Sequence, residues 1–124
     1  MGIIALDLWD KKVGIAHENS GFAFPRAIVK RVEILSYLKK LENEYSFEIL
    51  VVGLPYDLYG KDLRQLEKTQ KFIEKLKVFF PQKEVIGVDE RFTSFEAERE
   101  SLSGEQIDDI SASLILETYL KDKK

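Results

Sequence analysis

Residues 2–16 read GIIALDLWDKKVGIA, and the fold follows from this stretch. An apolar run over residues 2–8 carries a single acid, Asp7, near its end. A second apolar run at residues 13–16 follows after a short polar connection, so the two read as the arms of a hairpin. Outward from it, residues 22–29 form a third strand, and Pro25 assigns that strand to an edge because proline cannot donate to a ladder. In residues 32–45 the apolar positions Leu35, Leu38, Leu41 and Tyr45 recur at steps of three and four, which is helical spacing.

The next run, FEILVVGL at residues 47–54, is almost wholly apolar, as in a strand covered on both faces, and Gly53 and Pro55 close it. Residues 62–80 are a charged helix with Leu66, Ile73, Leu76 and Phe80 along one side, stopped by Pro81. A short buried strand over 84–88 leads directly into Asp89-Glu90-Arg91. Residues 93–102 read as a short helix and 107–121 as a final one, preceded by Ser103-Gly104-Glu105-Gln106 with capping-box spacing. Three strands in a meander, then alternating helices and strands, describe one α/β domain over residues 1–124: a mixed sheet with helices on its faces. In such sheets sites form outside the carboxyl ends of the strands. That rule singles out Asp7, the Gly53-Leu54-Pro55 turn and Asp89-Glu90-Arg91.

Composition narrows the chemistry. The chain has 124 residues, no cysteine and one histidine, so disulfide frameworks, thiolate metal sites and multi-histidine sites are excluded. An apolar content of 44% supports a real core, and no apolar run is long enough to span a bilayer. The opening residues lack a basic region before the apolar run, so they do not read as a secretory signal, and a cytoplasmic protein is expected. A net charge of −3 rules out a bulk electrostatic coat for nucleic acid, though not a local basic face.

The residue types left for catalysis are carboxylates. Asp7 is awkward in a core, because an unpaired buried carboxylate is costly; capping the turn into Lys11 and Lys12 is the competing structural role. Asp89, Glu90 and Arg91 could bind a cation and a phosphate, or they could serve the start of a helix, for which Thr93 and Glu96 have capping-box spacing. Asp108 shares a helical stripe with Ala112, Ile115 and Tyr119, and Asp109 one with Ser113, Leu116 and Leu120, so periodicity alone does not choose between them. Together, carboxylates gathered at one sheet edge suit oxygen ligation of Mg²⁺ or Mn²⁺. A pair of such ions would activate water and stabilise the leaving oxygen of a phosphodiester. Lys11, Lys12, Lys61, Arg64, Arg91, Thr93 and Ser94 are candidates to hold phosphates. His17 reads as an ordinary surface residue.

Four ordered motifs resemble the YqgF family, also called the RuvX or Holliday junction resolvase-like family, whose members are described as pre-16S rRNA nucleases. They are ALDLWDKKVGIA at 5–16, VVGLPYDLYG at 51–60, DERFTS at 89–94 followed by Glu96-Ala97-Glu98, and IDDISASLILETYL at 107–120. The resemblance implies a ribonuclease-H-like fold, with a five-stranded mixed sheet in the order 3-2-1-4-5 and helices on both faces. It also implies a catalytic triad of Asp7, Glu90 and Asp108, with Asp89 as the alternative second ligand. The chain departs from the family pattern at Trp9, where glycine is usual, at Lys12, where arginine is usual, and at Asp57 and Tyr59 in the central loop. Trp9 is expected to pack over the hairpin or the central loop near Tyr56 or Tyr59. The alternative places its indole beside the acids, free to stack on an unpaired base.

Three functions follow. The first is metal-dependent cleavage of structured RNA in ribosome biogenesis, at the 5′ end of pre-16S ribosomal RNA. The second is cleavage of branched DNA at the same site. The third is a non-catalytic nucleic-acid or ribosome-associated binding module, motivated by Trp9 and the altered central loop. A sugar-kinase-like ATPase fails on length, since those enzymes need two such domains. No membrane partner is expected, and monomer and dimer remain equally open.

Overall fold

In the computed structural model the strand that opens the chain lies at the centre of the sheet. β1 (Ile3–Leu8) pairs antiparallel with β2 (Lys12–Asn19), from Ile4 opposite His17 to Leu8 opposite Val13. On its other side it pairs parallel with β4 (Ile49–Leu54). β5 (Glu84–Asp89) lies parallel outside β4, and β3 (Phe22–Lys30) is the opposite edge, giving the order β3-β2-β1-β4-β5. The structure describes residues 2–9, 11–54, 64–89 and 104–122.

Alternation along β1 sends its side chains into two separate cores. Ile4 and Leu6 join Val13, Ile15, Leu50 and Val52 beneath α1 (Ile34–Glu44) and α2 (Arg64–Phe79). Ile3 and Ala5 join Ala16, Ile49, Val51 and Val88 beneath α3 (Gly104–Asp122). Helices therefore cover both faces, as expected. Leu38 of α1 and Leu76 of α2 are fully buried, each worth about 1.5–3 kcal/mol of transfer free energy. Among the described residues no helix is long and apolar enough to cross a membrane.

Element boundaries moved where local chemistry outweighed apolar content. β2 extends past residue 16 through Glu18 and Asn19 into a two-residue turn, with positive φ at both Ser20 (55°) and Gly21 (86°). This is the backbone that matches strand twist in a hairpin, and the Glu18 carboxylate accepts from Gly21 N–H at 2.9 Å. Phe47 stands before β4 rather than within it; it is buried under Phe80 and the Lys83 ammonium, which donates to Phe47 O at 2.6 Å. Residues 31–33 form a 3₁₀ turn ahead of α1, leaving Val32 exposed. β5 runs one residue further than expected, to Asp89. α3 begins at Gly104, earlier than expected, and the expected helix over 93–102 lies outside the described residues.

His17 is not the surface residue read from the sequence. Its ring stacks on Phe24 and meets Tyr45 edge-on, with centroids 6.0 and 5.6 Å away. Nδ1 is buried without a hydrogen-bond partner. Tyr45 anchors the same corner: its hydroxyl donates to Glu18 O at 2.7 Å and accepts from Ile3 N–H at 3.1 Å. Burial first, and then the nearby Arg26 guanidinium, push the imidazole below its ordinary 6.5. The unfolded chain thus takes up this proton at a higher pH than the folded one. The stability His17 contributes is complete above 6.5 and is lost as pH falls through that value toward the folded pKa. The melting temperature should therefore drop more steeply on acidification from about pH 7.5 to about pH 5 in the native chain than in His17→Phe. Parallel pH profiles for the two proteins would refute this account.

Candidate active site at the carboxyl end of the central strand

Asp7 is the penultimate residue of β1 and is only 2% exposed. By strand alternation it lies on the α3 side, with Ile3 and Ala5. A carboxylate in that position must be hydrogen-bonded to remain ionised. Trp9 supplies one partner: its indole Nε1–H donates to Asp7 Oδ2 at 2.7 Å, the length of a charge-assisted bond. Residues two apart on a strand point to the same side, and this is why the indole reaches the acid.

The turn that carries Trp9 is itself braced. Trp9 N–H donates to Lys12 O at 2.9 Å, and Arg31 N–H donates to Lys11 O at 2.9 Å. The Arg31 guanidinium donates to Trp9 O at 3.0 Å. Arg31 at the end of β3 thus holds the main chain of Trp9, and Trp9 holds Asp7. Tyr56 and Tyr59, against which the Trp9 ring is expected to pack, lie outside the described residues. The indole nitrogen lies beside the acid, as in the alternative, but it serves there as a hydrogen-bond donor to the carboxylate.

The other expected site residues fall as follows. Lys11 is exposed in the turn, and Lys12 begins β2 opposite Lys30. Asp89 ends β5 opposite Leu54, at the same end of the sheet as Asp7. Asp108 lies in the backbone of the first turns of α3. Glu90, Arg91, Thr93 and Ser94, together with Asp57, Tyr59 and Lys61, lie outside the described residues. Among the described residues no three His, Cys, Asp or Glu side chains gather as a metal site. Asp7 is an all-oxygen donor, the chemistry that a hard divalent cation prefers. Sequence reasoning passed over Arg31, whose signal is tertiary, and a row of lysines on α2, whose steps of three and four could have been read directly.

This sheet order with an acid at the end of its central strand defines the ribonuclease-H-like class of α/β proteins. Thermus thermophilus RuvC, solved in complex with a Holliday junction substrate, superposes with a TM-score of 0.63 at 11% identity, over 98% of this chain and 96% of that one. Archaeoglobus fulgidus Pelota superposes with a TM-score of 0.51 at 17% identity, over 98% of this chain and 35% of that one. In sequence, a Fusobacterium nucleatum protein named "Putative pre-16S rRNA nuclease" is 35% identical, covering 98% of this chain and 97% of its own length. A Sulfurihydrogenibium protein of the same name is 37% identical, covering 95% of this chain and 88% of its own. The chain belongs to the RuvX family, whose sequence profile, described as Holliday junction resolvase, matches residues 1–122.

If Trp9 holds the Asp7 carboxylate, Trp9→Phe keeps an aromatic ring but leaves that oxygen without its donor. The expected loss is about 1–3 kcal/mol of folding stability, measured by denaturant unfolding. A loss within experimental error would mean that the bond contributes nothing.

Proposed function

We propose that this chain is a metal-dependent nuclease that hydrolyses phosphodiester bonds in structured RNA, acting at the 5′ end of pre-16S ribosomal RNA. The observation that carries the reading is the Asp7 carboxylate, buried at the end of the central strand and held in one orientation by the Trp9 indole. An acid that is expensive to bury and specifically positioned is a functional group by physical cost alone. The names of the relatives supply the substrate.

The proposed triad is Asp7, Glu90 and Asp108. The buried residues of α3 support Asp108 over Asp109. Ser111, Ala112, Ile115, Leu116 and Tyr119 are all buried. With about 100° per residue, position 108 falls near the middle of that face and position 109 roughly 90° away. The family resemblance supports Glu90 over Asp89, which ends β5. Ile86 and Val88 belong to the core under α3, on the same side of the sheet as Asp7.

This donor set fits Mg²⁺ or Mn²⁺. When bound, such a cation supplies charge neutralisation at the phosphate and activation of water. The chain's own contribution is to fix Asp7 through Trp9 and Arg31, and to hold the phosphates flanking the cut with Lys11, Lys12, Arg91, Thr93 and Ser94. The Trp9–Asp7 bond favours catalysis over a non-catalytic binding module, because the departure from the family pattern supports the acid rather than displacing it. A second reading, cleavage of branched DNA at the same site, rests on the family description and the RuvC likeness. The setting for either substrate is the cytoplasm.

The test uses pre-16S precursor RNA and a four-way DNA junction side by side, with Mg²⁺ or Mn²⁺ and with chelator. Asp7→Asn and Asp108→Asn should each lose more than about 100-fold in cleavage rate, with circular dichroism unchanged. Asp109→Asn should stay within about 10-fold. Activity that survives chelation overturns the mechanism, and cleavage of the junction alone overturns the RNA assignment.

A further inference from the structure

A groove of about 790 Å³ opens between the start of α1, the first half of α2 and the turn after β1. Its rim is cationic, with Lys11, Lys30 and Arg31 on one wall and Lys68, Lys71 and Lys75 on the other. Its floor is apolar, with Ile34, Leu35 and Phe72, Val32 stands exposed at its edge, and no acid is among the described residues that line it. The chain as a whole carries a net charge of −3, so six cations with no acid among the described lining residues form a marked local excess. By contrast, Lys77, Lys83 and Arg26, outside the groove, each have a glutamate carboxylate within 4.0 Å. None of the five groove lysines has such a partner among the described residues.

We propose that this groove binds single-stranded nucleic acid, the segment of substrate that continues from the phosphate at Asp7. Lys68, Lys71 and Lys75 lie on one side of α2, at steps of three and four residues, and span about 10 Å along its axis. That arrangement offers several point charges in a row to a polyphosphate backbone rather than one clamp to a single anion. The apolar floor decides between single and double strands. Only an unpaired strand can turn its base faces onto apolar side chains, whereas a duplex presents phosphates and leaves such a floor uncovered.

The groove also connects physically to the candidate active site. Arg31 lines it and donates to Trp9 O at 3.0 Å, and Trp9 in turn donates to Asp7 at 2.7 Å. A strand held along the lysines therefore leads toward the acid. The direction of the strand rests on the nuclease reading; the binding itself does not.

The experiment measures fluorescence anisotropy of a labelled oligouridylate on the full chain in chelator, where no cleavage occurs. Lys68→Gln, Lys71→Gln and Lys75→Gln combined should raise Kd at least about 10-fold. The same variant should reduce the slope of log K against log salt by about 2, the value for three lost phosphate contacts on a single strand. Lys40→Gln, Lys77→Gln and Lys121→Gln combined remove the same charge outside the groove and should change Kd less than about 2-fold. Val32→Glu, which places a carboxylate at the exposed edge of the groove, should weaken binding without altering the fold.

The native chain should bind the oligouridylate whether or not it cleaves the precursor RNA with Mg²⁺ or Mn²⁺, so a failure of the nuclease reading would show as absent cleavage with binding intact. Equal weakening by the two triple variants overturns the proposal, as does no weakening by the groove variant. A blunt RNA duplex that binds as tightly and with the same lysine dependence also overturns it. Displacement of the RNA by polyglutamate at equal charge concentration would assign the groove to an acidic peptide instead.

Discussion

A carboxylate buried at the end of a strand that is paired on both sides and covered on both faces cannot be relieved by water. It must be satisfied from within the chain, and in this protein a residue two positions along does so. The Trp9 indole reaches Asp7 because strand geometry puts both on one side. Trp9 stays in place because the turn around it is closed by its own main chain and by Arg31 from the neighbouring edge strand. The opening hairpin therefore builds both the centre of the sheet and the support of its acid.

The sheet then divides labour between its faces. Odd positions of β1 look toward α3 and lead to Asp7; even positions look toward α1 and α2 and anchor the larger core. At the carboxyl end of the sheet the first face presents an acid and the second a cationic groove. For a protein that carries net negative charge, this separation is how a polyanion can be attracted to a site that contains carboxylates. Lysines placed on one helix face draw the backbone in, while the acid lies on the other side of the strand ends.

The two demands on the opening segment, a buried strand and a positioned acid, meet at Trp9, whose bond to Asp7 the sequence reading did not anticipate. A tryptophan beside a charged turn has two plausible uses, packing and stacking, and both treat the ring as its functional part. The structure uses the N–H instead. His17 was misjudged for a related reason: its neighbours in sequence, Ala16 and Glu18, say little about a ring that is buried by Phe24 across the hairpin and Tyr45 from the end of α1.

The sequence by itself determined the five strands, three of the helices and the edge position of β3. Apolar period and turn residues are local properties, and the run from Ile3 to Leu6 or from Ile49 to Val52 has few other ways to be buried. Its motifs also carried the sheet order, through family resemblance. The tertiary structure decided what depends on contacts between distant segments. Arg31 meets Trp9 only because β3 returns alongside the hairpin, and Lys30 faces the lysines of α2 only because both helices pack on one side of the sheet. Likewise the buried face of α3, with Ala112, Ile115, Leu116 and Tyr119, emerges only where that helix meets the sheet.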